Sequence, residues 1–134
     1  MLAAALVPTF VNAFAVSGGT PAKIVPGDFN RDGKADIVAL NTNNVLSILL
    51  GKGNGTFSAA IDHGFASSDY ISYAAVGDLN GDGKLDIVSA SHAKGLVALL
   101  GDGKGVFQVA RQGLPKADFS SQSVTLLDAN GDGK

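Results

Sequence analysis

The chain has 134 residues, enough for one domain with a core, since domains of roughly 100 to 150 residues are the commonest size. With 46% hydrophobic and 16% charged residues it is not a disordered tail, and a net charge of -2 offers no basic surface to phosphate backbones, so nucleic acid is not an expected partner. All 12 acidic residues are Asp, 18 residues are Gly and none is Cys, a usage that disfavours helix, favours tight turns, and removes disulfides, zinc–thiolate sites and cysteine nucleophiles together.

Along the sequence, Leu2 to Val11 is apolar apart from Pro8 and Thr9 and is followed by the small-x-small triplet Ala13-Phe14-Ala15. Residues 1–15 have two readings: a signal peptide cut before Val16, or the end of a preceding repeat. The run is too short for a membrane span, which needs about 20 apolar residues.

From Lys23 onward the sequence repeats. Asp28-Phe29-Asn30-Arg31-Asp32-Gly33-Lys34-Ala35-Asp36 returns as Asp78-Leu79-Asn80-Gly81-Asp82-Gly83-Lys84-Leu85-Asp86 and begins again at Asp128-Ala129-Asn130-Gly131-Asp132, a period of 50 (78 − 28 and 128 − 78). A second element keeps that period: Leu46 to Phe57, with Gly51, Gly53 and Gly55, matches Leu96 to Phe107, with Gly101, Gly103 and Gly105. Residues 16–65 and 66–115 are thus two full repeats, and 116–134 begin a third that stops inside its acidic loop.

Each repeat reads as four short strands. In the first, Lys23 to Val25 leads into the acidic loop, Ile37 to Leu40 leaves it, Val45 to Leu50 follows a turn, and a fourth strand starts at Phe57 after the Gly-rich turn. The runs Ile37–Leu40 and Leu46–Leu50 are nearly continuously apolar, with Ser47 the exception, rather than alternating, so the middle strands are expected to be covered on both faces. Four-stranded antiparallel units of about 50 residues predict an all-β fold of β-propeller blades. A ring needs about 4 to 8 blades; two full blades and partial ones make an incomplete propeller, whose partners are further blades, from missing sequence or from other copies.

The acidic loop has a direct chemical reading. Calcium takes 6 to 8 oxygen ligands at roughly 2.3 to 2.6 Å, and side chains at positions 1, 3 and 5 of a tight loop can converge on one point. Asp28, Asn30 and Asp32 would supply those oxygens, Gly33 would allow the turn, the backbone carbonyl of Lys34 would face inward with its side chain in solvent, and Asp36 would close the cage. Asp78, Asn80, Asp82, Lys84 and Asp86 repeat the set. The third loop supplies only Asp128, Asn130 and Asp132. An EF-hand is excluded because its position 12 must be Glu, and Ala39 and Ser89 stand there.

These loops, the Gly51–Phe57 and Gly101–Phe107 turns, and Gly18-Gly19-Thr20-Pro21 in the place of a GAP element resemble the FG-GAP or VCBS repeats of integrin α-subunit propellers and many secreted bacterial proteins, over residues 10–134. The resemblance implies structural calcium in the loop between the first two strands of each blade, ligand recognition on the opposite side, and a secreted or cell-surface location. It implies a binding or adhesion module for extracellular protein or glycan rather than an enzyme. The alternative is a propeller domain accessory to a secreted polysaccharide lyase, hydrolase or lipase.

Outside the loops little points to chemistry. His63 and His92 occupy unrelated repeat positions and read as loop histidines; the polar, aromatic stretch Ala66–Tyr73 is the one segment with the character of a contact site.

Overall fold

The computed structural model describes residues 21–65, 70–91, 95–110 and 123–127. Within them the protein forms β1 (Pro21–Gly27), β2 (Asp36–Asn41), β3 (Val45–Leu49), β4 (Ile61–Gly64), β5 (Ile71–Gly77), β6 (Asp86–Ser91), β7 (Gly95–Gly101) and β8 (Phe107–Ala110). They make two four-stranded sheets in sequence order, β1-β2-β3-β4 and β5-β6-β7-β8, with every neighbouring pair antiparallel. No helix in the described residues is long and apolar enough to cross a membrane.

The two sheets are built on one register. Gly27 pairs with Asp36 and Gly77 with Asp86, while Val38 pairs with Ile48 and Val88 with Ala98. The fourth strands differ. Phe107 opens β8 opposite Gly101, as its sequence position predicts. Phe57 makes only an isolated bridge to Gly51, and β4 proper starts at Ile61 opposite Ile48. Between those two contacts the outer strand carries one residue more than its partner, the signature of a bulge, and Ser58 fills the gap by bonding the Leu50 carbonyl through both its backbone N–H (2.8 Å) and its hydroxyl (3.0 Å).

Cross-strand partners share a face. Val25, Val38 and Ile48 lie on one face of the first sheet with Leu40 and Leu46; Val76, Ile87 and Leu99 lie on one face of the second with Ala74 and Val97. These two faces meet in one apolar cluster with Phe29 and Phe107. Val38 and Ile87 stand at opposite parities of the repeat, so each blade offers one face to its successor and the other to its predecessor. Such head-to-tail packing is heterologous and continues from unit to unit. The remaining faces are buried as well, at Ala39, Ser47 and Leu49 in the first sheet and Val88, Ala90 and Ala98 in the second, so the middle strands are covered on both sides, as their continuous apolar runs require.

The start of the third repeat follows the same order. Its described segment, 123–127, brings Leu126 against Gly77 of β5, with Leu126 Cδ1 2.8 Å from where a Gly77 Cβ would lie. The first strands β1 and β5 are likewise in contact with each other.

Candidate metal centre

Each acidic loop leaves a first strand and is shaped by its own carboxylates. Asp28 Oδ2 accepts the Gly33 N–H at 2.9 Å, and Asp78 Oδ2 accepts the Gly83 N–H at 2.7 Å. Gly33 and Gly83 have φ of 79° and 78°, a conformation that glycine adopts without steric cost. The Asp32 N–H is shared between Asp28 Oδ1 and Asn30 Oδ1, both at 3.1 Å; the Asp82 N–H is shared in the same way between Asp78 Oδ1 at 3.1 Å and Asn80 Oδ1 at 2.9 Å. Two side-chain oxygens therefore turn toward one point inside each loop. Asp32 and Asp82 fold back onto the N–H of Lys34 and Lys84.

The lysine side chains are at the surface, Lys34 exposed and Lys84 half-exposed, but each is bonded back onto its own loop. Lys34 Nζ bonds Asp32 Oδ2 at 3.0 Å and Lys84 Nζ bonds Asp82 Oδ2 at 2.8 Å. Their stems lie along the Gly-rich turns, where a Cβ on Gly53 or Gly103 would come within 3.0 Å of the lysine Cδ. The lysine contacts hold the Asp32 and Asp82 carboxyls below the usual carboxylate range, and the Asp82 contact raises Lys84. Backbone N–H bonds, led by Gly83, lower Asp78.

Asp36 and Asp86 take a different place from the other three. Both are fully buried, at the start of β2 and β6. Asp36 Oδ2 accepts the Phe29 N–H at 2.8 Å and Oδ1 the Gly51 N–H at 2.7 Å; Asp86 accepts from Leu79 at 2.9 Å and Gly101 at 2.8 Å. Each ninth-position carboxylate thus ties the acidic loop to the Gly-rich turn. The turn must come close to be tied: a Cβ on Gly51 or Gly101 would run into the carbonyl oxygen of Ala35 or Leu85. The two elements that share the period do so because they touch. The constant offset from Asp36 to Gly51 and from Asp86 to Gly101 was the available sign of this contact, and pattern reading of each element separately missed it.

The donors are all oxygens, the set suited to a hard cation. Asp28, Asn30 and Asp32 are brought together in one loop, and Asp36 stands behind it, linked through the Phe29 N–H. Among the described residues no three carboxylate or imidazole side chains are drawn together closely enough to form a metal-holding group. Asp128, Asn130 and Asp132 lie outside the described residues, as do His92 and Ala66 to Asp69. His63 is not a loop residue. It sits on β4 with its ring 6.5 Å from that of Phe107, its Nε2 is buried without a hydrogen bond, and burial lowers its pKa against the opposing charge of Asp62.

Two sheets that share the register of their first three strands, joined head to tail and each carrying the same stapled loop, define a repeat, and an FG-GAP-like repeat model matches residues 28–89 and again residues 78–134. The chain belongs to the FG-GAP-like repeat family. No curated protein and no solved structure matches it. Both FG-GAP matches begin at the first Asp of an acidic loop and run through the next Gly-rich turn, so the family pattern covers the pair of elements that Asp36 and Asp86 bind together.

At the other end of the blades, Tyr70 is 65% exposed with φ of 39°, and Lys23 Nζ lies 3.1 Å from the centroid of the Tyr73 ring. Lys23 and Tyr73 are the same position of successive repeats. The described part of the expected contact stretch is therefore at the junction of the first strands of the two blades.

Proposed function

We propose that this FG-GAP protein is a calcium-rigidified propeller module, secreted or displayed at the cell surface, that acts as a scaffold for recognition of extracellular protein or glycan and has no catalytic role of its own. The observation that carries the reading is the twofold recurrence of the loop: the same carboxylate and amide oxygens turn to the same shared N–H in two loops that a single offset separates. Asp28, Asn30, Asp32, the Lys34 carbonyl and Asp36 would hold one ion; Asp78, Asn80, Asp82, the Lys84 carbonyl and Asp86 would hold another. Bound there, calcium would supply the divalent charge that offsets repulsion among the loop carboxylates. The loops cap one end of the blades, and the opposite end, with Tyr73 on β5 and Tyr70 just before it, is left for recognition.

A calorimetric calcium titration paired with melting curves tests this. Calcium at about 100 times its Kd adds about 2.7 kcal/mol per site and raises Tm, and a chelator reverses the gain. The double variant Asp32→Ala with Asp82→Ala loses the response. A melt that is identical in calcium and in chelator overturns the calcium reading.

A further inference from the structure

Position 4 separates two loops whose candidate oxygen donors match. Asn30 is followed by Arg31 and Asn80 by Gly81, with φ of 61° and 77° at the fourth position. Asn80 and Gly81 are both exposed, whereas Asn30 is half-buried. In the second loop the Gly81 N–H donates to Asp78 Oδ1 at 2.8 Å, and the Asn80 amide oxygen accepts the Asp82 N–H at 2.9 Å. The Asn80 amide oxygen is thus held on the Asp82 N–H, across Gly81, whose nitrogen has no neighbouring Cβ and whose proton is already in contact with a carboxylate.

We propose that Asn80 is a deamidation site whose conversion changes the charge of the second acidic loop. The Gly81 nitrogen attacks Asn80 Cγ; its proton passes by way of Asp78 Oδ1 to the departing amide nitrogen, the Cγ–Nδ2 bond breaks, and ammonia leaves a five-membered imide. Water then opens the ring. Hydrolysis of the new Cγ–N bond restores the ordinary backbone with an aspartate at position 80, and hydrolysis of the original peptide bond leaves an isoaspartate. No electrons are transferred, and water is the sole co-reactant. Arg31 is the internal control: its side group obstructs the attacking nitrogen in a loop of the same shape.

The aspartate product replaces a neutral oxygen donor with a carboxylate at the third loop position, and isoaspartate lengthens the backbone of the same turn. The effect on cation binding rests on the calcium reading above; the conversion itself does not. Asn54-Gly55 has the same dipeptide in the β3–β4 turn, where Asn54 Oδ1 accepts from Thr56 N at 3.1 Å and Thr56 Oγ1 at 2.7 Å, and its conversion adds no charge to an acidic loop.

The test ages the full-length protein in warm, mildly alkaline buffer with chelator and, in parallel, with calcium, followed by peptide mapping for the mass change and for isoaspartate. Asn80 is expected to convert at least about tenfold faster than Asn30, the ratio given by a barrier difference near 1.4 kcal/mol. Gly81→Arg should bring Asn80 down to the Asn30 rate, and Arg31→Gly should bring Asn30 up to the Asn80 rate. Equal rates in the unmodified protein, or swaps that leave both rates where they were, overturn the proposal. Calcium should slow the conversion by fixing the Asn80 amide. Equal rates in calcium and chelator count against the calcium reading alone, because the Asn80 to Asn30 ratio still decides the modification.

Discussion

The two blades share the register of their first three strands, their loop and their buried aspartate, yet the residue after the first loop aspartate meets different fates. Phe29 is 1% exposed and sets its ring edge-on to Phe107 at 5.6 Å, across the interface between the sheets, whereas Leu79, its counterpart, is 37% exposed. The difference teaches that a repeat fixes its own internal bonds, and that burial at the seam depends on which face of which blade lies next to it. Asp36 and Asp86 are the same in both blades because their partners lie within the same blade. Phe29 and Leu79 differ because their partners are not.

The largest expected effect breaks the comparison at the seam. Phe29→Ala should cost about 3 to 5 kcal/mol, as for a fully buried ring, while Leu79→Ala should cost about 1 kcal/mol. Denaturant unfolding measures both, and equal losses would show that the two sheets do not pack as described. Next comes the element the blades hold in common. Asp36→Ala leaves two buried N–H groups without acceptors, at about 1 to 3 kcal/mol each, so a loss on the order of 3 kcal/mol is expected, and Asp86→Ala should match it. A clear inequality between the two would mean that the staple serves one blade only.

Smaller effects sharpen the comparison. Lys34→Met and Lys84→Met should let the Asp32 and Asp82 carboxyls rise back toward 3.8, seen by NMR titration, with little change in the melt because both ion pairs are at the surface. His63 belongs to the first blade alone. Its folded-state pKa lies below its ordinary value of 6.5, so the unfolded state binds the proton more readily, and stability is full above that value and declines as pH falls below it. His63→Leu should flatten this window. A melt profile equally steep in that variant between neutral pH and the carboxylate range would place the dependence elsewhere.

Much of this was legible in the residues alone. The 50-residue period of the acidic loop (78 − 28) pointed to the blades, and continuous apolar runs pointed to middle strands buried on both faces. The first three strands of the first blade fall where the runs of Val, Ile and Leu lie; β1 and β2 are extended at both ends through ladder pairing, and β3 stops one residue short, at Leu49. The fourth strand of the first blade was misplaced because Phe57 has the repeat's pattern but the bulge at Ser58 delays regular pairing to Ile61. The lysines are at the surface, as expected, but their ion pairs with Asp32 and Asp82 were not legible, because spacing says nothing about a long stem folding back over glycine. His63 looked like a loop residue because it breaks the repeat, and its place against Phe107 depends on a contact between blades.

By itself the sequence determined the repeat unit, its strand order, and the residue types that can offer oxygens to a cation, because these follow from local spacing and the chemistry of the side groups. Only the tertiary structure decided that Asp36 and Asp86 turn inward to bind Gly51 and Gly101, that Lys34 and Lys84 cap their own loops, and that one face of the first blade meets the opposite face of the second. Those outcomes rest on close approach between segments distant in sequence, where a single Cβ or a single buried N–H settles the arrangement and no periodicity records it.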